Sequence, residues 1–320
     1  GHLSLYNNTT GSYNIAIGSY ALQDNTIGNN NVAIGYLASP DQTTASGTVA
    51  IGNYALYQNT TASQIIGIGY EALYANTTGT QNIAIGYRAF RDNTTGNSNT
   101  GTGYQVLRHN TTGTGNTAFG VYSLYTNTTG GYNSGFGINA LRNNTTGNTL
   151  SAFGNAALES NTTGAGNNAF GSGALQRTTT GGYNNAFGLE ALTYNTTGIN
   201  NVAIGYRSLF YNTTGVGNTA VGNGNLFSNT TGTGNVAVGG GLYNNTTGNY
   251  NNAFGSGALQ SNTTASSNSA LGHQALNANT TGVNNTAVGY QVYNNLTTGD
   301  NKVAFGYGLA ASAVGVDAEI

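Results

Sequence analysis

The chain has 320 residues, 51 of them glycine, with one proline and no Cys, Met or Trp; 5% of residues are charged and the net charge is −2. Without cysteine no disulfide framework can staple it, and without a basic patch a nucleic-acid partner is not expected. No apolar run approaches the length of a membrane span, so membrane insertion is not expected either. Low charge with modest hydrophobicity can signal disorder, but here the apolar residues recur in register, the mark of a repeat architecture.

The clearest copy of the repeat, residues 76–92, reads Asn-Thr-Thr-Gly-Thr-Gln-Asn-Ile-Ala-Ile-Gly-Tyr-Arg-Ala-Phe-Arg-Asp, and the next begins at Asn93. Its core glycine recurs every seventeen residues from Gly18 to Gly239; one step is then a residue short, and the series resumes at Gly255, Gly272, Gly289 and Gly306. Glycine and asparagine in two segments of the unit are turn chemistry. The two apolar segments between them are too short for helices and contain β-branched residues, so each coil is predicted to hold two short strands. The expected fold is all-β: a parallel β-solenoid, or β-roll, of about eighteen rungs, with residues 1–306 forming a single solenoid. At about 4.8 Å per stacked strand it would be a rod on the order of 85 Å long. Residues 307–320, where the spacing loosens, read as a cap or the start of a further module.

In chain order, Pro40 and Gln42 predict a distorted loop, because Pro cannot join a strand ladder and Gln stands where the turn Asn belongs. Thr100-Gly101-Thr102 is a weak, polar version of the core strand. Thr178 replaces a turn Asn, Gly239-Gly240-Gly241 loses one residue, and Leu296 and Lys302 interrupt the two Asn columns. The chain opens in mid-repeat without Met or a signal peptide, which reads as a fragment of a longer protein.

Four columns carry the functional expectations. The residue before the core glycine is apolar, with five successive Phe from Phe119 to Phe187, and the Leu column is equally regular; both are assigned to the interior. The residue before that is held to Ala or Gly, as at Ala84, Ala118, Ala152, Ala186 and Ala203. Because it points to the opposite face of the strand, it is expected to be an assembly face for identical chains; the alternative is Ala inside and the larger residue half-exposed. The Asn that opens each Asn-Thr-Thr, including Asn76, Asn93, Asn110, Asn127, Asn144 and Asn161, suits a hydrogen-bonded ladder and is formally a glycosylation acceptor. Tyr36, Tyr70, Tyr87, Tyr104, Tyr206, Tyr290 and Tyr307 follow core glycines and are expected to form an exposed stripe for surface or glycan contact. A second stripe runs through Tyr57, Tyr74, Arg91, Arg108, Tyr125 and Arg142.

Chemistry is not expected. His2, His109 and His273 show no paired metal spacing, and no Gly-Lys-Ser/Thr follows any Gly-x-Gly, so neither a metal nor a phosphate loop is implied. No catalytic residue and no cofactor are assigned, since catalysis needs a converging set of tuned groups.

The Asn-x-Ala-Ile-Gly-x-x-Ala core, as in Asn31-Val32-Ala33-Ile34-Gly35-Tyr36-Leu37-Ala38, resembles the head repeats of trimeric autotransporter adhesins. The fuller Asn-Thr-Thr-Gly-x-x-Asn-x-Ala-Ile-Gly-Tyr form is similar to repeats in phage tail fibres and bacterial surface fibres. The resemblance implies a left-handed β-roll, three chains around one axis, and adhesion at the surface of a cell or virion. The seventeen-residue period departs from the shorter autotransporter-head spacing. A purely structural, self-assembling extracellular filament is the alternative, and an ice-binding solenoid a third reading.

Overall fold

The computed structural model describes residues 1–311. They divide into two compact units, Gly1–Thr163 and a second that begins at Gly164. The first holds nine three-residue strands, β1 (Ile15–Ile17) to β9 (Ser151–Phe153), and the second nine more, β10 (Asn168–Phe170) to β18 (Val303–Phe305). Within each unit consecutive strands pair in parallel and in register, so that like stacks on like: Ile66 on Ile83, Ala186 on Ala203. The architecture is a parallel β-solenoid.

Each coil contains one strand where two are predicted. The Ala-Leu segment is a bend in which the Leu adopts a left-handed conformation, with φ of 52° at Leu73 and 52° at Leu124, as does the residue two before it, such as Glu71 at 53°. That conformation costs a branched side chain of order 1–2 kcal/mol. Burying the leucine returns about 1.5–3 kcal/mol, and Leu73 and Leu124 are 0% exposed.

Main-chain hydrogen bonds join neighbouring rungs around the whole coil, not only along the strand. Ile83 N–H donates to Asn99 O at 2.8 Å, Phe90 N–H to Val106 O at 3.0 Å, and Thr94 N–H to Thr111 O at 3.0 Å. Backbone polar groups are thus satisfied from rung to rung, as burial demands. The core glycine is fixed by the same stacking: a Cβ at Gly120, where φ is 127°, would lie 2.6 Å from the Gly137 carbonyl oxygen.

The interior corrects the assignment of the strand's two sides. Ala84, Ala118, Ala152, Ala186 and Ala203 are each 0% exposed inside their own coil, so they cannot be an assembly face. The apolar residue before the core glycine points outward instead, with Ile204 42% and Phe187 40% exposed. Space decides this: a Cβ built at Gly67 would already lie 3.3 Å from Leu56 Cγ and 3.3 Å from Ala72 O, so nothing larger than Ala fits. The Leu column is interior.

The expected distortion at Pro40 is absent. Gln42 is buried and donates to Ala45 O at 3.1 Å, the bond a turn Asn makes, while Ser39 Oγ and Thr48 Oγ1 donate to its carbonyl oxygen at 2.9 and 3.0 Å. At the short rung, Asn225 stands where Ala is usual; its amide donates to Val221 O and its oxygen accepts from Gly240 N–H at 2.7 Å, closing the gap left by the missing residue. Beyond Gly306 the coil continues briefly, with Gly308 N–H donating to Tyr290 O and Tyr293 N–H to Leu309 O. The remainder of the expected cap, 312–320, lies outside the described residues.

Candidate functional site

Two Asn ladders run inside each unit. In the first, Asn93 Nδ2 donates to Asn76 Oδ1 at 2.7 Å, and Asn110, Asn127, Asn144 and Asn161 each repeat the bond to the Asn one rung before at 2.8 Å. All six side chains are 0% exposed. The nitrogen a glycan would need is therefore sealed inside the folded coil, which overturns the glycosylation alternative. In the second ladder, Asn99 and Asn116 donate to Gly113 O and Gly130 O at 2.9 Å and accept main-chain N–H bonds from the following rung.

The two threonines of each turn have different fates. The first donates its hydroxyl to the main chain of the next rung, as Thr94 Oγ1 does to Thr111 O at 3.1 Å. The second, as at Thr95 and Thr112, faces solvent. One exposed threonine column in place of two is a narrow basis for an ice-matching face.

Two outer faces remain. The sheet face consists of the strand's outward residues and the bend just before the strand. No charged residue stands in any of these columns, among the described residues. It carries Val or Ile at both outward positions in four successive rungs, from Val32 and Ile34 to Ile83 and Ile85, then a polar rung at β6 (Thr100–Thr102), then stacked phenylalanines: Phe119–Phe136 at 5.1 Å and Phe136–Phe153 at 4.7 Å between ring centroids. In the second unit Phe170 and Phe187 stack at 4.9 Å. An open depression on this face is lined by Gly47, Gln64, Ile66, Gln81 and Ile83.

At the edge of the sheet face stand four tyrosines that sequence reasoning missed: Tyr13, Tyr132, Tyr183 and Tyr250, which are 86%, 70%, 65% and 65% exposed. Each of the last three lies over a glycine in the preceding rung. A Cβ at Gly115 would come within 2.9 Å of the Tyr132 ring, and one at Gly166 or Gly234 within 2.7 Å of the Tyr183 or Tyr250 ring. The signal for these three was a glycine one rung before each.

The opposite face follows the core glycine and gathers most of the charges; Asp300 and Lys302 stand instead in the segment before β18. Tyr36, Tyr70, Tyr87, Tyr104, Tyr206, Tyr290 and Tyr307 are all exposed, from 38% at Tyr87 to 78% at Tyr307. Where they succeed one another they stack nearly parallel: Tyr70–Tyr87 at 5.5 Å and 12°, Tyr87–Tyr104 at 5.2 Å and 8°, Tyr290–Tyr307 at 5.0 Å and 12°. Stacking covers the ring faces and leaves edges to solvent. Beside them Glu71 Oε2 accepts from Arg88 Nε at 2.8 Å and Arg91 Nε at 2.7 Å. Partial burial pushes the Glu71 carboxyl up, but hydrogen bonds from Arg91, Tyr70 and Arg88 outweigh this and hold it below its ordinary value.

Among the described residues no group of three or more His, Cys, Asp or Glu could hold a metal ion, and no helix is long and apolar enough to cross a membrane. The sequence matches no protein-family model and no curated protein.

Proposed function

We propose that the chain is a segment of an adhesive extracellular fibre, on a cell surface or virion, that associates with copies of itself through the sheet face and presents the charged, aromatic face to a surface or its glycans. The observation that carries this reading is the segregation of charge. An uncharged surface that carries exposed Ile, Val and Phe among Thr, Ser and Asn has the low charge of an interface core, and exposed apolar patches mark association sites. Because the face is uncharged along its length, a second copy meets it without an unpaired charge. Three copies around one axis are what the resemblance to autotransporter heads implies. The tyrosines at the edge, Tyr132, Tyr183 and Tyr250, suit the rim of such an interface, where one end of the side chain is covered and the hydroxyl stays wet.

The test is the mass of the protein in solution by light scattering, for the wild type and for a variant carrying Ile68→Asp and Ile85→Asp. The expected result is a small multiple of one chain for the wild type and a single chain for the variant, with unchanged circular dichroism. A wild type that runs as one chain at high concentration removes self-association from the proposal.

The purely structural filament is a second reading, favoured by the stacked rings of the outer stripe, whose covered faces offer little to a sugar ring. Wild-type protein that assembles but retains no glycan would support it.

A further inference from the structure

Four of the seven Lys and Arg side chains, Arg88, Arg91, Arg108 and Arg142, fall within four successive rungs of the first unit, on the face away from the sheet. Each guanidinium lies over a tyrosine ring: Arg88 over Tyr87 at 5.0 Å, Arg91 over Tyr74 at 5.2 Å, Arg108 over Tyr125 at 5.9 Å and Arg142 over Tyr122 at 5.3 Å. The rings hold the cations in place.

Acids neutralise only part of this group. Glu71 serves Arg88 and Arg91, while Asp92 accepts from Arg91 Nη1 at 2.9 Å and pairs with His109 Nδ1 at 2.8 Å. Arg108 and Arg142 make no ion pair among the described residues, and the next carboxylate in their column, Glu159, is one rung beyond Arg142. Arg108 donates from Nη1 to Tyr125 Oη at 3.0 Å and to Gln105 Oε1 at 3.4 Å; its Nε, closed to solvent, finds no acceptor among the described residues. That nitrogen is as closed to a ligand as to water, so an incoming anion meets the Arg108 charge through the remaining guanidinium nitrogens. Arg108 and Arg142 share one column, with Tyr125 between them, so they lie two rungs or about 10 Å apart.

We propose that Arg108, Tyr125 and Arg142 form a subsite for an acidic polysaccharide, an extended chain with carboxylate or sulfate groups at intervals, lying along the stack. This rests on the attachment reading above and names the class of glycan. The charge spacing selects it: one unneutralised cation per about 10 Å suits a polymer with widely spaced anions, whereas duplex nucleic acid carries a charge every ~1.7 Å. Tyr125 packs edge-on against His109 and Tyr122, with ring centroids 4.8 and 5.4 Å apart, and carries the Arg108 guanidinium over its ring, so it is not an open platform for the base stacking that single strands use.

The test is affinity electrophoresis of the full chain through gels containing polygalacturonate, dextran sulfate, neutral dextran or sheared DNA. Wild-type protein is expected to be retarded by an acidic polysaccharide, less so as salt is raised, and not by dextran. Arg108→Gln with Arg142→Gln should weaken that retardation about tenfold or more, as loss of a charged fork does. Arg177→Gln, which removes a guanidinium 4.4 Å from the Tyr194 ring in the second unit, should leave it unchanged. Arg108→Lys, which keeps the charge and loses the fork, should fall between, and guards against a misfolded double variant. Retention by dextran alone, stronger retention by DNA, or a double variant that binds like the wild type overturns the subsite while leaving attachment standing. No retention by any polymer overturns both.

Discussion

The ring of Phe90 fills the space that a side chain at Gly101 would need: a Cβ there would lie 2.6 Å from Phe90 Cε1. Phe90 replaces the usual Leu, and Gly101 replaces the usual Ala one rung later, so the two exceptions compensate. Gly101→Ala alone should destabilise by about 1–3 kcal/mol, the range for overpacking. Adding Phe90→Leu should recover most of the loss. Thermal midpoints of the two single variants and the double variant check this coupling; purely additive effects would contradict it.

The strand's two sides make opposite predictions. Ala152→Leu forces a larger group into a fully buried position and should cost about 1–3 kcal/mol or more. Ile85→Asp, on the outer side, should change the stability of the isolated chain by no more than about 0.5 kcal/mol. Denaturation of both variants at low protein concentration, where association is suppressed, separates inside from outside.

Asn110 holds three bonds at once: its amide donates to Asn93 Oδ1 and Gly113 O, and its oxygen accepts from Asn127 Nδ2. Asn110→Ala leaves buried partners unsatisfied on both sides, at about 1–3 kcal/mol for each group orphaned. Hydrogen exchange should show the loss concentrated in the rungs next to residue 110, since each rung touches only its neighbours.

Glu71 gives a pH dependence with a definite sign. Its folded-state pKa lies below the ordinary value of 4.5, so the stability it contributes is present above pH 4.5 and is lost as pH falls through the folded value. Wild type should therefore melt higher than Glu71→Gln at neutral pH. That difference should shrink as the pH is lowered below 4.5. A gap that stays constant down to strong acid would show that the carboxylate is not what Arg88 and Arg91 hold.

Much of the fold was legible because its signal repeats. The period, the stacked coils, the interior leucines and the Asn ladder follow from spacing and residue type alone. The orientation of the strand did not, because Ala and Ile or Phe are both apolar, and alternation sorts residues into two sets without saying which is inside. That choice depends on the narrow gap between the strand and Leu56, which only the closed coil reveals. The missing second strand was hidden by leucine itself, whose left-handed φ of 52° at Leu73 runs against its usual preference. Tyr132 over Gly115 and Phe90 against Gly101 are contacts between rungs, visible only when the chain is compared with itself one repeat away. Arg108 stood in the outer stripe from the start, but its unmatched Nε is a matter of geometry.

Asn225 shows what a frame error costs this chain. A deletion of one residue needed a dedicated amide to bridge Val221 O and Gly240 N–H, whereas excising or duplicating a whole coil leaves every neighbour with the partners it already had. The number of coils can therefore drift in genes by unequal recombination between copies, in quantised steps, with selection left to police only the fractions.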